Sequence, residues 1–171
     1  MIIKNCFRLA PSANSSPRRA GSTLLLLLSL TAMTSTFAAS QTLSPADSAA
    51  AFKAAGFKPQ GKAWVACAEG RIAEVRDVNG DGLPEAIITE SGSACFGNTG
   101  EGYSLVSKQA NGRWQLISRN TGILEFLPGA GVGGWPDIQI GGPGFCFPVQ
   151  RWNGQKYELS RFEYAGQPCQ R

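Results

Sequence analysis

The sequence predicts a mostly β protein: short antiparallel hairpins in a compact propeller-like arrangement, with one short helix near the start of the working domain. Three observations lead there. The 171 residues carry 21 Gly and 10 Pro, and nearly all of these lie beyond residue 39, so the chain is cut into pieces too short for long helices. Between those breakers stand short runs of β-branched and aromatic residues. Asn-Gly pairs at Asn111-Gly112 and Asn153-Gly154 sit between such runs, where a two-residue hairpin turn with positive φ at both central positions is expected.

In chain order, the helix comes first. Ser44-Pro45-Ala46-Asp47 supplies a cap, a proline at the first helical position and an acid in the first turn. Alanines around Phe52 propagate the helix over about 45–55, Gly56 ends it, and Phe52 is expected to pack on the sheet. Strands follow at 63–67, 71–76, 85–89, 103–107, 113–118, 123–126, 137–140, 146–152 and 156–162. A weak repeat relates two of these stretches, about 77–118 and 131–162. Leu83-Pro84-Glu85-Ala86-Ile87-Ile88 lies over Trp135-Pro136-Asp137-Ile138-Gln139-Ile140, and each is followed by Cys-Phe and then by Asn-Gly with an aromatic. Repeated hairpins of this kind build propeller-like structures, although two copies cannot close a propeller. The expected organisation is a cleaved signal peptide at 1–38, a helix and linker at 39–60, and a β domain at 61–171.

Charge excludes one class of partner. There are 16 Lys and Arg against 12 Asp and Glu, but Lys4, Arg8, Arg18 and Arg19 precede residue 38, where no acid occurs, which leaves 12 against 12 beyond it. No footprint for nucleic acid remains. The N-terminus has a basic stretch, an apolar run at 24–33 and the small-residue exit Thr36-Phe37-Ala38, the grammar of a secretory signal. The apolar run is shorter than the roughly 20 residues needed to span a bilayer, so no membrane association is expected after cleavage. The location expected is periplasmic or secreted. Cys6 leaves with the signal. Cys67, Cys95, Cys146 and Cys169 remain, and an even number in an exported chain reads as two disulfides. Three pairings are open to sequence alone; Cys67 with Cys95 and Cys146 with Cys169 is preferred because each would staple one local sheet unit. A Cys₄ zinc site is disfavoured, since no CxxC pair occurs.

The stretch richest in chemistry is Asp77-Val78-Asn79-Gly80-Asp81-Gly82-Leu83-Pro84-Glu85. Side-chain oxygens recur at relative positions 1, 3, 5 and 9, a glycine at 6 permits the sharp turn, and the carbonyl of Leu83 at 7 can point inward. Ca²⁺ takes six to eight oxygens on such a curve. Asp77, Asp81 and Glu85 are anionic, and holding three carboxylates together is costly without a cation. The plainer alternative is a polar turn built from turn-forming residues. The stretch is not an EF-hand, because Ile88 stands at position 12 and a strand follows.

This DxNxDGxxE loop, running directly into a strand, resembles the calcium loops of FG-GAP/VCBS-type repeats, the blades of integrin-like propellers. The resemblance implies Asp77, Asn79, Asp81, the Leu83 carbonyl and Glu85 as calcium ligands. The second copy departs from it, because Gly131-Val132-Gly133-Gly134-Trp135-Pro136-Asp137 keeps only the last acid. An exported, disulfide-containing, calcium-binding β protein of this size is also similar to periplasmic immunity proteins that protect bacteria against secreted peptidoglycan hydrolases. Those proteins have a propeller-like fold, and the similarity is one of architecture.

Catalytic machinery is sparse. The chain has no His, which removes Ser-His-Asp and Cys-His nucleophiles and His metal ligands together. The glycines of 129–134 match GxGxxG, but a strand follows where a phosphate-binding helix is required. Glu90, Glu101, Glu125 and Asp137 leave a two-carboxylate hydrolase of a periplasmic polysaccharide as an alternative, and a structural or adhesive module as another. Trp135 and Phe145 flank Gly/Pro loops and are the candidate anchors for a protein partner. The leading expectation is a non-enzymatic calcium-binding module that binds another protein, in particular a cell-wall hydrolase that it inhibits.

Overall fold

A computed structural model describes residues 42–170; the expected signal peptide at 1–38 and Cys6 lie outside the described residues. The described residues open with helix α1 (Pro45–Ala54). Ser44 caps it, its hydroxyl accepting the Asp47 N–H at 3.1 Å, so the Ser-Pro grammar of the sequence is realised. Asp47 also receives Lys108 at 2.8 Å and the indole N–H of Trp114 at 3.1 Å, which fastens the start of the helix to the sheet below.

A small hairpin of β1 (Lys58–Gln60) and β2 (Ala63–Val65) follows. Next come β3 (Gly70–Arg76), β4 (Glu85–Ser91), the single-turn helix α2 (Ser93–Phe96), β5 (Glu101–Lys108) and β6 (Trp114–Thr121). These four strands form an antiparallel sheet in simple sequence order, β3-β4-β5-β6. The second half repeats the arrangement with β7 (Ile123–Ala130), β8 (Pro136–Gly141), β9 (Phe147–Trp152), β10 (Tyr157–Tyr164) and the short β11 (Gln167–Pro168), ordered β11-β10-β9-β8-β7.

The protein is thus mostly β, with antiparallel sheets of two, four and five strands and short helices. Among the described residues the sheets do not close into a propeller. One core lies between α1 and the first sheet, where Ala51, Phe52 and Phe57 meet Ala86, Ile88, Val106 and Trp114. The other lies between the sheets, where Ile87, Tyr103 and Leu105 meet Trp135, Ile140, Leu124 and Phe126. β4 is buried on both faces, which is why Ala86-Ile87-Ile88 reads as an unbroken apolar run. Helix α1 is built into the first core through Ala51 and Phe52.

One local expectation changes. Asn111 and Asn153 do not take positive φ; among the described residues only Cys146 and Ala165 do so without being glycine. The turns are longer than two residues, and each Asn accepts backbone N–H groups instead: Asn111 from Arg113 at 2.9 Å, and Asn153 from Gln155 and Lys156 at 2.8 and 2.9 Å. Cys95 and Phe96 lie in the single-turn helix α2, and the Phe96 ring lies against Gly102, where an added Cβ would come within 2.3 Å of it.

Cys67 bonds Cys95 and Cys146 bonds Cys169, with Cα separations of 5.9 and 5.7 Å. The local pairing is therefore the one formed. Each bridge staples one sheet unit, and two disulfides point to an oxidising, extracytoplasmic setting. No helix among the described residues is long and apolar enough to cross a membrane.

Candidate functional site

The loop of residues 77–84 joins β3 to β4 and carries every residue of the DxNxDGxxE pattern up to Glu85, the first residue of β4. Its curve is held by its own side chains. Asp77 accepts the Gly80 and Gly82 N–H groups at 2.7 and 2.9 Å, Asn79 accepts that of Asp81 at 3.0 Å, and Asp81 accepts that of Leu83 at 2.8 Å. Gly80 and Gly82 take φ of 79° and 83°, values that a side chain would resist. Asp77 and Asp81 are exposed, Asn79 and Leu83 half-buried.

Glu85 differs from the rest because it is only 1% exposed. One oxygen accepts the Val78 N–H at 2.7 Å and the other the Ser107 hydroxyl at 2.7 Å. Burial, and after it the charges of Asp81 and Asp77, push its carboxyl above the usual carboxylate range. No ion pair reaches it among the described residues. Arg76 is its cross-strand neighbour on β3, yet turns to Glu74 at 2.7 Å and lies over the Phe126 ring. Lys108, near by on β5, is held by Asp47.

The second repeat solves the same problem differently. Asp137 follows Pro136 as Glu85 follows Pro84, and it too is 1% exposed. Glu85 lies opposite Ser107 on the adjacent strand; the β8–β9 register of Ile138 with Gln150, continued by one step, puts Asp137 opposite Arg151. Arg151 grips Asp137 with two bonds of 2.8 Å, and Arg161 on β10 adds a third at 2.6 Å. The Arg151 guanidinium, helped by Arg161, holds the Asp137 carboxyl below its ordinary range. At the same position in the repeat, one buried acid has two guanidinium partners, while the other has a hydroxyl, an N–H and two further carboxylates.

The two repeats also touch at their loops. Gly134 lies against the backbone of Asn79, where a Cβ would fall 2.2 Å from the Asn79 carbonyl oxygen, and its φ is 81°. The glycine-rich loop ahead of β8 therefore shapes the first loop and carries no helix N-terminus for a phosphate. Among the described residues, no three Asp, Glu, Cys or His side chains are already gathered in metal-ligating geometry. What the loop does supply is an oxygen-rich donor set of the kind hard cations take, on a preformed curve, beside a buried acid without a counter-charge.

The other expected residues separate. Trp135 is 6% exposed and packs against Trp152 and Tyr157, so it belongs to the inter-sheet core and cannot be an exposed anchor. Phe145 is 72% exposed, with its ring 6.4 Å from that of the exposed Tyr164. Of the carboxylates considered for hydrolysis, Glu90 is occupied by the Cys67 and Ala68 N–H groups, and Asp137 by its arginines. Ser107, which bonds Glu85, and Arg151 and Arg161, which bond Asp137, set the contrast between the two buried acids and were not singled out from sequence. Comparison with known proteins finds no matching family, no matching curated protein and no matching solved structure.

Proposed function

We propose that this chain is an exported, periplasmic or secreted calcium-binding β protein that acts by binding another protein, and that Ca²⁺ is held by Asp77, Asn79, Asp81, the Leu83 carbonyl and Glu85. The observation that carries the cation is the buried Glu85, which has no basic partner where its counterpart Asp137 has two. A divalent ion would supply at the first loop the charge that Arg151 and Arg161 supply at the second. Its role is structural: it neutralises the acids and fixes the turn from which β4, a strand that contributes to both cores, departs.

Each of the two larger sheets opens with a hairpin whose second strand begins at a Pro-acid step, which supports taking these two sheets as blade-like repeats of the FG-GAP/VCBS kind. The disulfides support export. The exposed Phe145 and Tyr164 offer an aromatic contact surface for a partner. The resemblance to immunity proteins supports a peptidoglycan hydrolase as that partner, inhibited rather than assisted.

Thermal melting tests the cation. The native protein is expected to melt at a higher temperature in calcium than in chelator, and Asp81→Ala to melt at the same temperature in both. Calcium-independent melting of the native protein overturns the proposal.

A further inference from the structure

The cation loop also forms one wall of a cleft. The turns β3–β4, β5–β6 and β9–β10 meet at one end of the two sheets and enclose about 460 Å³. That lies within the range of small-ligand sites, roughly 300–1,000 Å³. Both repeats contribute to it. Gln109 and Gln115 flank the β5–β6 turn, Gln155 stands on the β9–β10 turn, and Trp135 and Trp152 also line the cleft.

The chemistry of the lining is selective. Among the described residues no Lys or Arg lines the cleft, and Asp81 is its one charged group, so an anionic ligand would find no counter-charge there. Carboxamides donate and accept hydrogen bonds at once, as do the hydroxyls of a sugar. Indole surfaces offer an apolar, electron-rich plane of the kind that the C–H face of a pyranose ring can cover. Trp152 is half-buried, while Gln115 and Gln155 are exposed, so the amides can adjust to a ligand laid along the cleft.

We propose that this cleft binds a neutral oligosaccharide, with Trp152 as the stacking surface and Gln109, Gln115 and Gln155 as the hydroxyl partners. The inference goes beyond cation binding and rests on the cleft rather than on the ion.

The test uses the full mature chain in calcium, titrated with maltohexaose, cellohexaose and chitohexaose, and with a neutral Gly-Ser hexapeptide for comparison. Tryptophan fluorescence and calorimetry are the readouts. At least one saccharide is expected to bind saturably below ~10 mM, changing the tryptophan emission. Gln155→Ala together with Gln115→Ala is expected to weaken it about tenfold while leaving the calcium-dependent melting shift unchanged. Trp152→Ala is expected to abolish it. Because Trp152 packs on Trp135 and Tyr157 at 5.3 Å and its loss could disturb the fold, the exposed glutamines carry the decision. Absence of saturable saccharide binding, equal binding of the hexapeptide, or full affinity in the double glutamine variant overturns the proposal. The melting shift reports the cation loop separately, so either reading can fail alone.

Discussion

Asp137→Ala is expected to destabilise the protein by about 2–4 kcal/mol, a loss of roughly 10 °C in melting temperature for a domain of this size. Three charge-assisted hydrogen bonds converge on a carboxylate that is 1% exposed. The expected loss is below that for stripping a fully buried pair, because Arg151 is 54% exposed and can turn its freed guanidinium to water. The pH dependence has a definite sign. Arg151 and Arg161 lower the folded pKa, so this stabilisation is fully present above the unfolded value of about 3.9 and fades as pH falls from there through the folded value. Denaturant titrations of the native protein and the variant at pH 7 and near pH 3 are expected to show a large gap at the first and a smaller one at the second.

Glu85→Ala is expected to have an effect of similar size with a different signature. It leaves the Val78 N–H and the Ser107 hydroxyl without their acceptor, at about 1–3 kcal/mol for each buried donor. In calcium the variant also forfeits the ion's stabilisation, about 2.7 kcal/mol at a hundredfold excess over Kd. Glu85→Gln separates the two contributions. It keeps the shape and one acceptor oxygen but removes the charge that faces Asp77 and Asp81. Its deficit relative to the native protein is expected to be clear in calcium and to shrink in chelator, as measured by denaturant unfolding under both conditions.

Much of the fold was legible because its signals are local. The Ser44-Pro45 cap, the breakers around each strand and the proximity of the cysteines act within a few residues or within one hairpin, and the structure follows them. The misreadings are where tertiary contacts decide. Pro59 and Pro168 hid β1 and β11, since proline argues against a strand except at an edge, where both occur. Trp135 looks accessible among its glycines, but the loop that carries it turns its ring into the inter-sheet core.

The candidate site was legible as a row of side-chain oxygens, and its electrostatic contrast was not. Ser107 stands four residues before Asn111, whereas Arg151 stands two before Asn153, so aligning the Asn-Gly turns does not bring the two together. Only the strand register does. The contact of Gly134 with Asn79 was likewise out of reach, because it joins loops more than fifty residues apart.

Isothermal titration of calcium into the chelator-stripped native protein, with Asp81→Ala alongside, tests most directly whether the 77–85 loop holds a cation. One saturable site per chain in the native protein and none in Asp81→Ala is the expected result. No saturable uptake at millimolar calcium, or an unaltered isotherm in Asp81→Ala, contradicts it.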